Sequence, residues 1–220
     1  MAGVATIAQA FAVFSACWAI IAGVGAWKRE FVGKHRIELA EQVLAKFFEV
    51  KDAVAFIRNP FSSSDEGKSR KRSEAETDSE LLDRGYIVVE RYLKKENVFS
   101  EFSTLKYRCM AAFGTDCGKI FEDTFQAVNS IFLSARTLAT LYWPKQGYVP
   151  AVGNQLQEHL EGMRRHEGIF WDIGDDKDEI RRKLRDIQGR LELVTRPCFE
   201  EPMKLYSFLT RPFFSTRNKK

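Results

Sequence analysis

Residues 4–27 read VATIAQAFAVFSACWAIIAGVGAW and are followed directly by Lys28, Arg29 and Glu30. No side chain between Val4 and Trp27 carries a charge. A helix of roughly 20 mainly apolar residues is enough to cross the hydrocarbon core of a bilayer. The sequence therefore predicts a transmembrane anchor over residues 1–27, with the lipid bilayer as its first partner.

Two other interpretations of this stretch compete with the anchor. A cleaved signal peptide normally begins with a basic region, whereas residues 1–4 carry no charged side chain, although Val24-Gly25-Ala26 resembles a cleavage site. A buried helix of a soluble domain rarely lacks charge on every face over such a length. The membrane anchor is the interpretation that the residues favour.

The basic residues around the anchor predict its orientation. Lys28, Arg29, Lys34 and Arg36 follow the apolar stretch, and no basic side chain precedes it. The positive-inside rule then places the N-terminus outside and residues 28–220 in the cytoplasm, at the inner (plasma) membrane. The three cysteines beyond the anchor are an odd number without regular spacing, which agrees with a reducing compartment.

Helical spacing of apolar residues dominates the rest of the chain and predicts an all-α fold, an N-terminal transmembrane helix followed by an antiparallel helical bundle. One apolar stripe runs from Leu82 to Phe113 and predicts one helix, and a second helix ends at Trp143-Pro144. A final helix is expected to end at Arg196-Pro197. The expected divisions are an anchor (1–27), a juxtamembrane helix (28–58), a flexible loop (59–78), a bundle packed with 37–58 (79–200) and a basic aromatic tail (201–220).

The loop and the tail each allow two interpretations. Ser73 follows Arg70-Lys71-Arg72, a string that resembles a basic-directed phosphorylation site, but a solvated loop explains the same composition. The tail mixes phenylalanines with basic residues, which suits an anionic leaflet, yet Pro212 interrupts any amphipathic helix there. A tail packed on the bundle is equally compatible with the sequence.

The motifs of catalysis and cofactor binding are missing. Glycine-rich phosphate loops, paired cysteines and a serine elbow do not occur. His159 and His166 are seven residues apart, so they share a helix face without the spacing of helical metal ligands, and a solvated charged face is favoured. The net charge of +4, from 34 basic and 30 acidic side chains, is too balanced for a nucleic-acid surface. We expect no catalytic site, metal, cofactor, nucleic acid or small-molecule substrate.

Two sets of residues are candidates for helix association. Small residues recur in the anchor at spacings that let two membrane helices approach closely, although incidental composition explains them as well; they are Ala8, Ala12, Ala16 and Gly23. The last helix carries a 4-3-4-3 apolar seam, which serves either packing inside the domain or a partner helix; it consists of Ile180, Leu184, Ile187, Leu191 and Val194.

Several strings resemble those of uncharacterised bacterial single-pass membrane proteins with a cytoplasmic helical domain. They are Trp27 to Lys34, Ile37 to Glu41, Arg165-His166-Glu167 to Phe170-Trp171, and Arg196-Pro197. The resemblance implies an inner-membrane, cytoplasm-facing protein and implies no activity.

Together these features predict a membrane-anchored cytoplasmic interaction or scaffold protein, with a protein partner or a second copy bound through the membrane helix. An accessory subunit of a larger membrane complex and an enzyme with an unrecognised site around His159, His166 and Trp171 are the alternatives.

Overall fold

The computed structural model describes residues 2–72, 79–148 and 153–209, apart from the side chains of 2–12, 22, 26, 29, 79 and 200–209. Helices make up most of these residues and no β-strand occurs among them, which confirms the predicted all-α class. The chain divides into two compact units, Met1–Glu41 with Arg196–Lys220, and Gln42–Thr195. The helices are α1 (Ala2–Ile57), α2 (Ser79–Leu93), α3 (Glu96–Phe113), α4 (Cys117–Thr137), α5 (Gln155–Phe170) and α6 (Glu179–Leu209), with a π-helix (Leu138–Tyr142) and a 3-10 turn (Trp143–Lys145) after α4.

The first unit contains the N-terminal part of α1, whose backbone stays helical through Gly33. Among the side chains that the structure describes, no helix is both long enough and apolar enough to cross a lipid bilayer. The N-terminal segment is thus helical as expected, while the membrane-spanning part of the fold prediction receives no support from those residues. Ala8 and Ala12 lie outside the described side chains.

The second unit is an antiparallel bundle organised around α4. Contacts between α3 and α4 run in opposite directions along the two helices, from Cys109–Cys117 through Lys106–Glu122 to Phe102–Phe125. The same reversal relates α4 to α5 and α1 to α6, because later residues of one helix meet earlier residues of the next. The turn of Gly114, Thr115 and Asp116 between α3 and α4 is short enough to require this arrangement. The predicted helical bundle is therefore confirmed.

α2 and α3 lie end to end along α4. Gly85 of α2 contacts Ala139, just beyond the C-terminal end of α4, and Tyr92 contacts Phe132 in its second half. Phe102 of α3 stacks on Phe121 in the first half, with ring centroids 4.5 Å apart. The single helix predicted over this region is wrong, because residues 94 and 95 form a turn. The apolar stripe nevertheless continues from α2 to α3, because both helices pack on α4.

Phenylalanine side chains from three helices pack together in the core of the bundle. Phe47, Phe99, Phe102 and Phe121 are all less than 2% exposed. Burying a side chain of this kind contributes roughly 1.5–3 kcal/mol relative to leaving it in water. The abundant phenylalanine of the sequence is thus used where α1, α3 and α4 meet.

A buried ion pair joins three helix ends. Arg58, directly after α1, is 1% exposed and donates to Asp178 with an Nη2–Oδ2 distance of 2.7 Å. Its guanidinium also donates to the carbonyls of Ile169, Gly168 and Trp171 at the end of α5. Asp178 caps α6, since its Oδ1 accepts the backbone N–H of Arg181 at 2.9 Å. Every donor that this pair buries is therefore satisfied, as buried charges require.

The loop after α1 is tied to α2 as far as residue 72. Arg91 of α2 donates to Glu66 and to the carbonyls of Asn59 and Phe61. Glu90 accepts the backbone N–H of Gly67 and the hydroxyl of Ser69, each at 2.9 Å. Residues 59–72 form no helix, and composition alone does not indicate these contacts. Ser73 and the rest of the loop lie outside the described residues.

Two further features differ from the sequence prediction. A disulfide joins Cys109 and Cys117 across the α3–α4 turn, although the spacing of the cysteines gave no indication of one. The expected end of the last helix at Arg196-Pro197 is wrong, because α6 continues to Leu209. A proline inside a helix removes one backbone donor at a cost of about 3 kcal/mol, which raises the energy of the helix without forbidding it.

Candidate functional site

The most distinctive local structure of the bundle is the π-helical segment after α4. Residues 138–142 take the wide-turn geometry, which is rare and recurs at functional sites. The segment brings the Tyr142 side chain onto Gly162 of α5, where a Cβ atom would overlap the tyrosine hydroxyl. Gly162 is therefore required for this contact.

Tyr142 lies between two imidazoles of α5. Its ring centroid is 5.2 Å from that of His159 and 5.4 Å from that of His166. The Nδ1 atom of His166 is 3.1 Å from the Oγ atom of Ser134 in α4. We call Ser134, Tyr142, His159 and His166 the histidine–tyrosine cluster. Both histidines are half-buried, so the solvated face expected for them is not what they form.

Burial disfavours the protonated form of His166. Desolvation is the main cause that lowers the pKa of His166 below its ordinary value of 6.5, and the positive charge of Arg165 lowers it further. The Nε2 atom of His159 is buried and has no hydrogen-bond partner among the described residues. Protonating His166 would therefore place a cation in a partly desolvated site next to the positive charge of Arg165.

A second layer of contacts fixes the end of the π-helical segment. The indole Nε1 of Trp143 donates to the Glu167 carboxylate at 3.1 Å. Arg84 of α2 lies over the Trp143 ring, with its Cζ atom 4.6 Å from the ring centroid, and Phe170 meets the ring edge-on. These contacts join α2, α4 and α5 around one buried indole, which holds the cluster in place.

The pairing of Ser134 with His166 resembles a nucleophile beside its base, but its surroundings do not suit acyl transfer in this conformation. Ser134 is 2% exposed, so a substrate carbonyl has no path to its Oγ atom. Glu167, the nearest carboxylate in sequence that could orient the imidazole, accepts from Trp143 instead. The described residues also contain no group of three or more histidine, cysteine, aspartate or glutamate side chains arranged to hold a metal ion. The arrangement stabilises helix packing.

The two sets of residues predicted for helix association differ in their exposure to solvent. Ala16 and Gly23 are exposed, and nothing lies within 4 Å of a Cβ atom built on Gly23. The seam of α6 is packed within the bundle. Its residues Ile180, Leu184, Ile187 and Leu191 are at most 4% exposed, and Val194 is partly exposed.

A long run of exposed apolar side chains lies on α1 between residues 13 and 32, which we call the apolar segment. Its large side chains are each about half exposed or more, from 48% at Val32 to 76% at Phe14. The others are Val13, Trp18, Ile20, Ile21, Val24, Trp27 and Phe31. A monomeric soluble protein rarely leaves so many large apolar side chains uncovered in one place.

Sequence reasoning missed the two arginines that hold the loop and helix ends. A signal for both was present, because each continues an apolar stripe at helical spacing: Arg58 follows Val54, and Arg91 follows Ile87. A charge on the apolar face of a helix indicates a buried ion pair when the neighbouring chain can supply a carboxylate.

Comparison of the chain with protein-family models, with curated proteins and with solved structures finds no significant match. The function must therefore be argued from the residues themselves.

Proposed function

We propose that this protein is a membrane-tethered interaction protein, in which the charge-free stretch from Val4 to Trp27 anchors a helical bundle to a lipid bilayer. The stretch exceeds the roughly 20 residues that one crossing needs. The observation that carries the proposal is the apolar segment of α1, whose large side chains are exposed. Leaving such surface in water costs roughly 25 cal/mol per Å², so a lipid or protein environment is favoured.

The charge pattern supports a cytoplasmic position for residues 28–220. Lys28, Lys34 and Arg36 follow the anchor directly, and basic residues are retained on the cytoplasmic side of bacterial inner membranes. The Cys109–Cys117 disulfide points the other way, because disulfides persist mainly in oxidising compartments. The state of these two cysteines in cells thus tests the side of the membrane on which the bundle lies.

Alkylation of intact cells with a thiol reagent before lysis gives that test. If the bundle is cytoplasmic, we expect peptides in which Cys109 and Cys117 are both alkylated, once the protein has been unfolded in the continued presence of the reagent. A disulfide-linked peptide in the same samples would place the bundle in an oxidising compartment and overturn the orientation. The tethering proposal itself does not depend on this outcome.

Membrane tethering is tested by alkaline extraction of cell membranes. The full chain is expected to stay in the membrane pellet, and the double variant Phe14→Arg/Ile20→Arg is expected in the supernatant. Each arginine near the middle of a span costs about 2.5–3.5 kcal/mol on insertion scales. The single variant Phe56→Arg, which adds one arginine on α1 beyond the apolar segment, is the control for position and should stay with the membrane. Recovery of the wild-type chain in the supernatant would refute the anchor.

Purification from membranes in mild detergent then separates the two forms of the interaction hypothesis. An accessory subunit is expected to copurify with other proteins at a fixed stoichiometry, whereas a scaffold binds its partner at a ratio that varies with expression. Recovery of the chain without any other protein after purification in mild detergent would contradict partner binding.

A further inference from the structure

A cleft of about 150 Å³ lies between α2 and the end of α4, away from the features that the proposed function uses. The rings of Tyr86 and Phe132 line it together with Ala139, and most of its wall is apolar. Ala139 and Thr140, which also line it, belong to the π-helical segment. A rare backbone geometry thus forms part of the wall of a cavity, which is a common setting for ligand sites.

Close contact between the two helices defines one edge of the cleft. A Cβ atom on Gly85 would lie 2.7 Å from the Ala139 Cβ atom and 3.0 Å from the Ala135 carbonyl oxygen. The glycine therefore lets α2 touch α4 at this point. The larger side chains of Tyr86 and Phe132 stand beside the contact and enclose the space.

Arg136 lines the same cleft with an exposed side chain. Within the described part of the chain its guanidinium makes no ion pair and no hydrogen bond, and only its backbone carbonyl is engaged, by the Thr140 hydroxyl. Arg58 and Arg91, by contrast, each bind a carboxylate. An available guanidinium at the rim of an apolar cavity is complementary to a small anion with an apolar body.

We propose that this cleft binds a small aromatic carboxylate, with the ring between Tyr86 and Phe132 and the carboxylate on Arg136. A cavity of about 150 Å³ accommodates a benzene-sized group. Aromatic walls favour an aromatic guest through offset or edge-on contacts. Guanidinium and carboxylate form two parallel charge-assisted hydrogen bonds, which fix the orientation of the guest. The site adds a ligand class that the sequence alone did not indicate.

Fluorine NMR of 4-fluorobenzoate tests the proposal on the full chain in detergent micelles. The fluorine resonance is expected to broaden and shift on addition of protein, and the change is expected to saturate. The comparison probe is 4-fluorobenzyl alcohol, which has the ring without the charge. We expect it to bind at least tenfold more weakly, because losing a charge-assisted hydrogen bond typically has an effect of this size. Micelles without protein give the reference for partitioning. Failure of 4-fluorobenzoate to show saturable binding would overturn the site.

Variants locate the binding. Arg136→Gln should weaken 4-fluorobenzoate binding by about tenfold or more and leave the alcohol unaffected. Val89→Phe, which places a ring in the cleft, should abolish binding of both probes. Lys119→Gln removes the same charge from an exposed position near the other end of α4 and should change nothing. Equal binding by wild type and Arg136→Gln, with both folded by circular dichroism, would exclude this cleft.

Discussion

Arg58 carries its charge at 1% exposure, where only Asp178 and three backbone carbonyls satisfy it. Arg58→Met keeps most of the apolar stem but leaves the carboxylate buried without a cation. Removing one partner of a buried pair costs about 3–5 kcal/mol. We expect the urea midpoint of the variant to fall well below that of the wild type, as followed by circular dichroism.

An exposed ion pair provides the control for this experiment. Arg185 contacts Asp176 at 2.9 Å, but both side chains are mostly in solvent, so Arg185→Met should leave the midpoint unchanged. The double variant Arg58→Met/Asp178→Leu should be less destabilised than the two single effects added together, because it leaves no buried charge. Equal midpoints for wild type and Arg58→Met would show that the pair contributes nothing.

His166 makes the stability of the bundle depend on pH. Its pKa is lowered in the folded state by burial first and by Arg165 second. The unfolded chain therefore binds a proton more readily, and this contribution to stability is complete above the unfolded pKa of about 6.5 and lost as the pH falls through it toward the folded pKa. We expect the free energy of unfolding, measured by urea titration, to decrease as the pH is lowered from about 7.5 to about 5.5.

Substitution assigns that decrease to the cluster. His166→Gln retains a polar side chain near Ser134 and should flatten the dependence in this range. His35 is exposed on α1, so His35→Gln should leave it as in the wild type. The carboxylates whose pKa values are lowered, such as Glu66 and Asp172, act in a more acidic range and do not obscure the comparison. The same slope in His166→Gln and wild type would contradict the assignment.

At the scale of elements, the contacts between α2 and the preceding loop predict resistance to proteolysis. Lys68 and Arg70 are trypsin sites within a loop that Arg91 and Glu90 hold. Glu90→Gln removes the charge that binds Gly67 and Ser69, and Arg91→Gln removes the donors to Glu66, so both should speed cleavage after Lys68. Mass spectrometry of timed digests measures the rate, and Lys119→Gln, at an exposed position on α4 away from the loop, is the control. Unchanged cleavage in both test variants would show that the loop is protected by other means.

Much of this element-scale structure could be predicted from residue patterns. Asn59-Pro60 and Gly114 lie just after the ends of α1 and α3, because proline and glycine act through the local backbone. The break at Lys94 and Lys95 could not be foreseen, since neither residue disfavours a helix and the apolar stripe continues across it. The contact of Tyr142 with two histidines was equally hidden, because the π-helical geometry shifts which side chains face α5.

At the scale of the whole molecule, the apolar residues follow two patterns: amphipathic helical spacing in the bundle and a charge-free run in the N-terminal part of α1. Amphipathic spacing predicts the apolar seam of α6, but it does not indicate whether a partner helix or the bundle covers that seam. In the structure the bundle covers it, because Leu184 and Leu191 are buried there. Between residues 13 and 27 the apolar segment of α1 carries no charged side chain, so amphipathic spacing does not indicate what covers its exposed side chains. Association through the proposed membrane anchor is therefore expected for this segment.

We expect the proposed membrane anchor to self-associate. At about 100° per residue, Ala16, Ala19 and Gly23 fall within one narrow arc of α1, and Ala8 and Ala12 continue the same spacing in the sequence. Small residues let two membrane helices approach closely enough for packing to hold them together. Ala12→Ile/Ala16→Ile should therefore abolish the signal of a membrane two-hybrid assay. Phe14→Ile, on a different face, should preserve it, and a signal that survives in the double variant would exclude association through these residues.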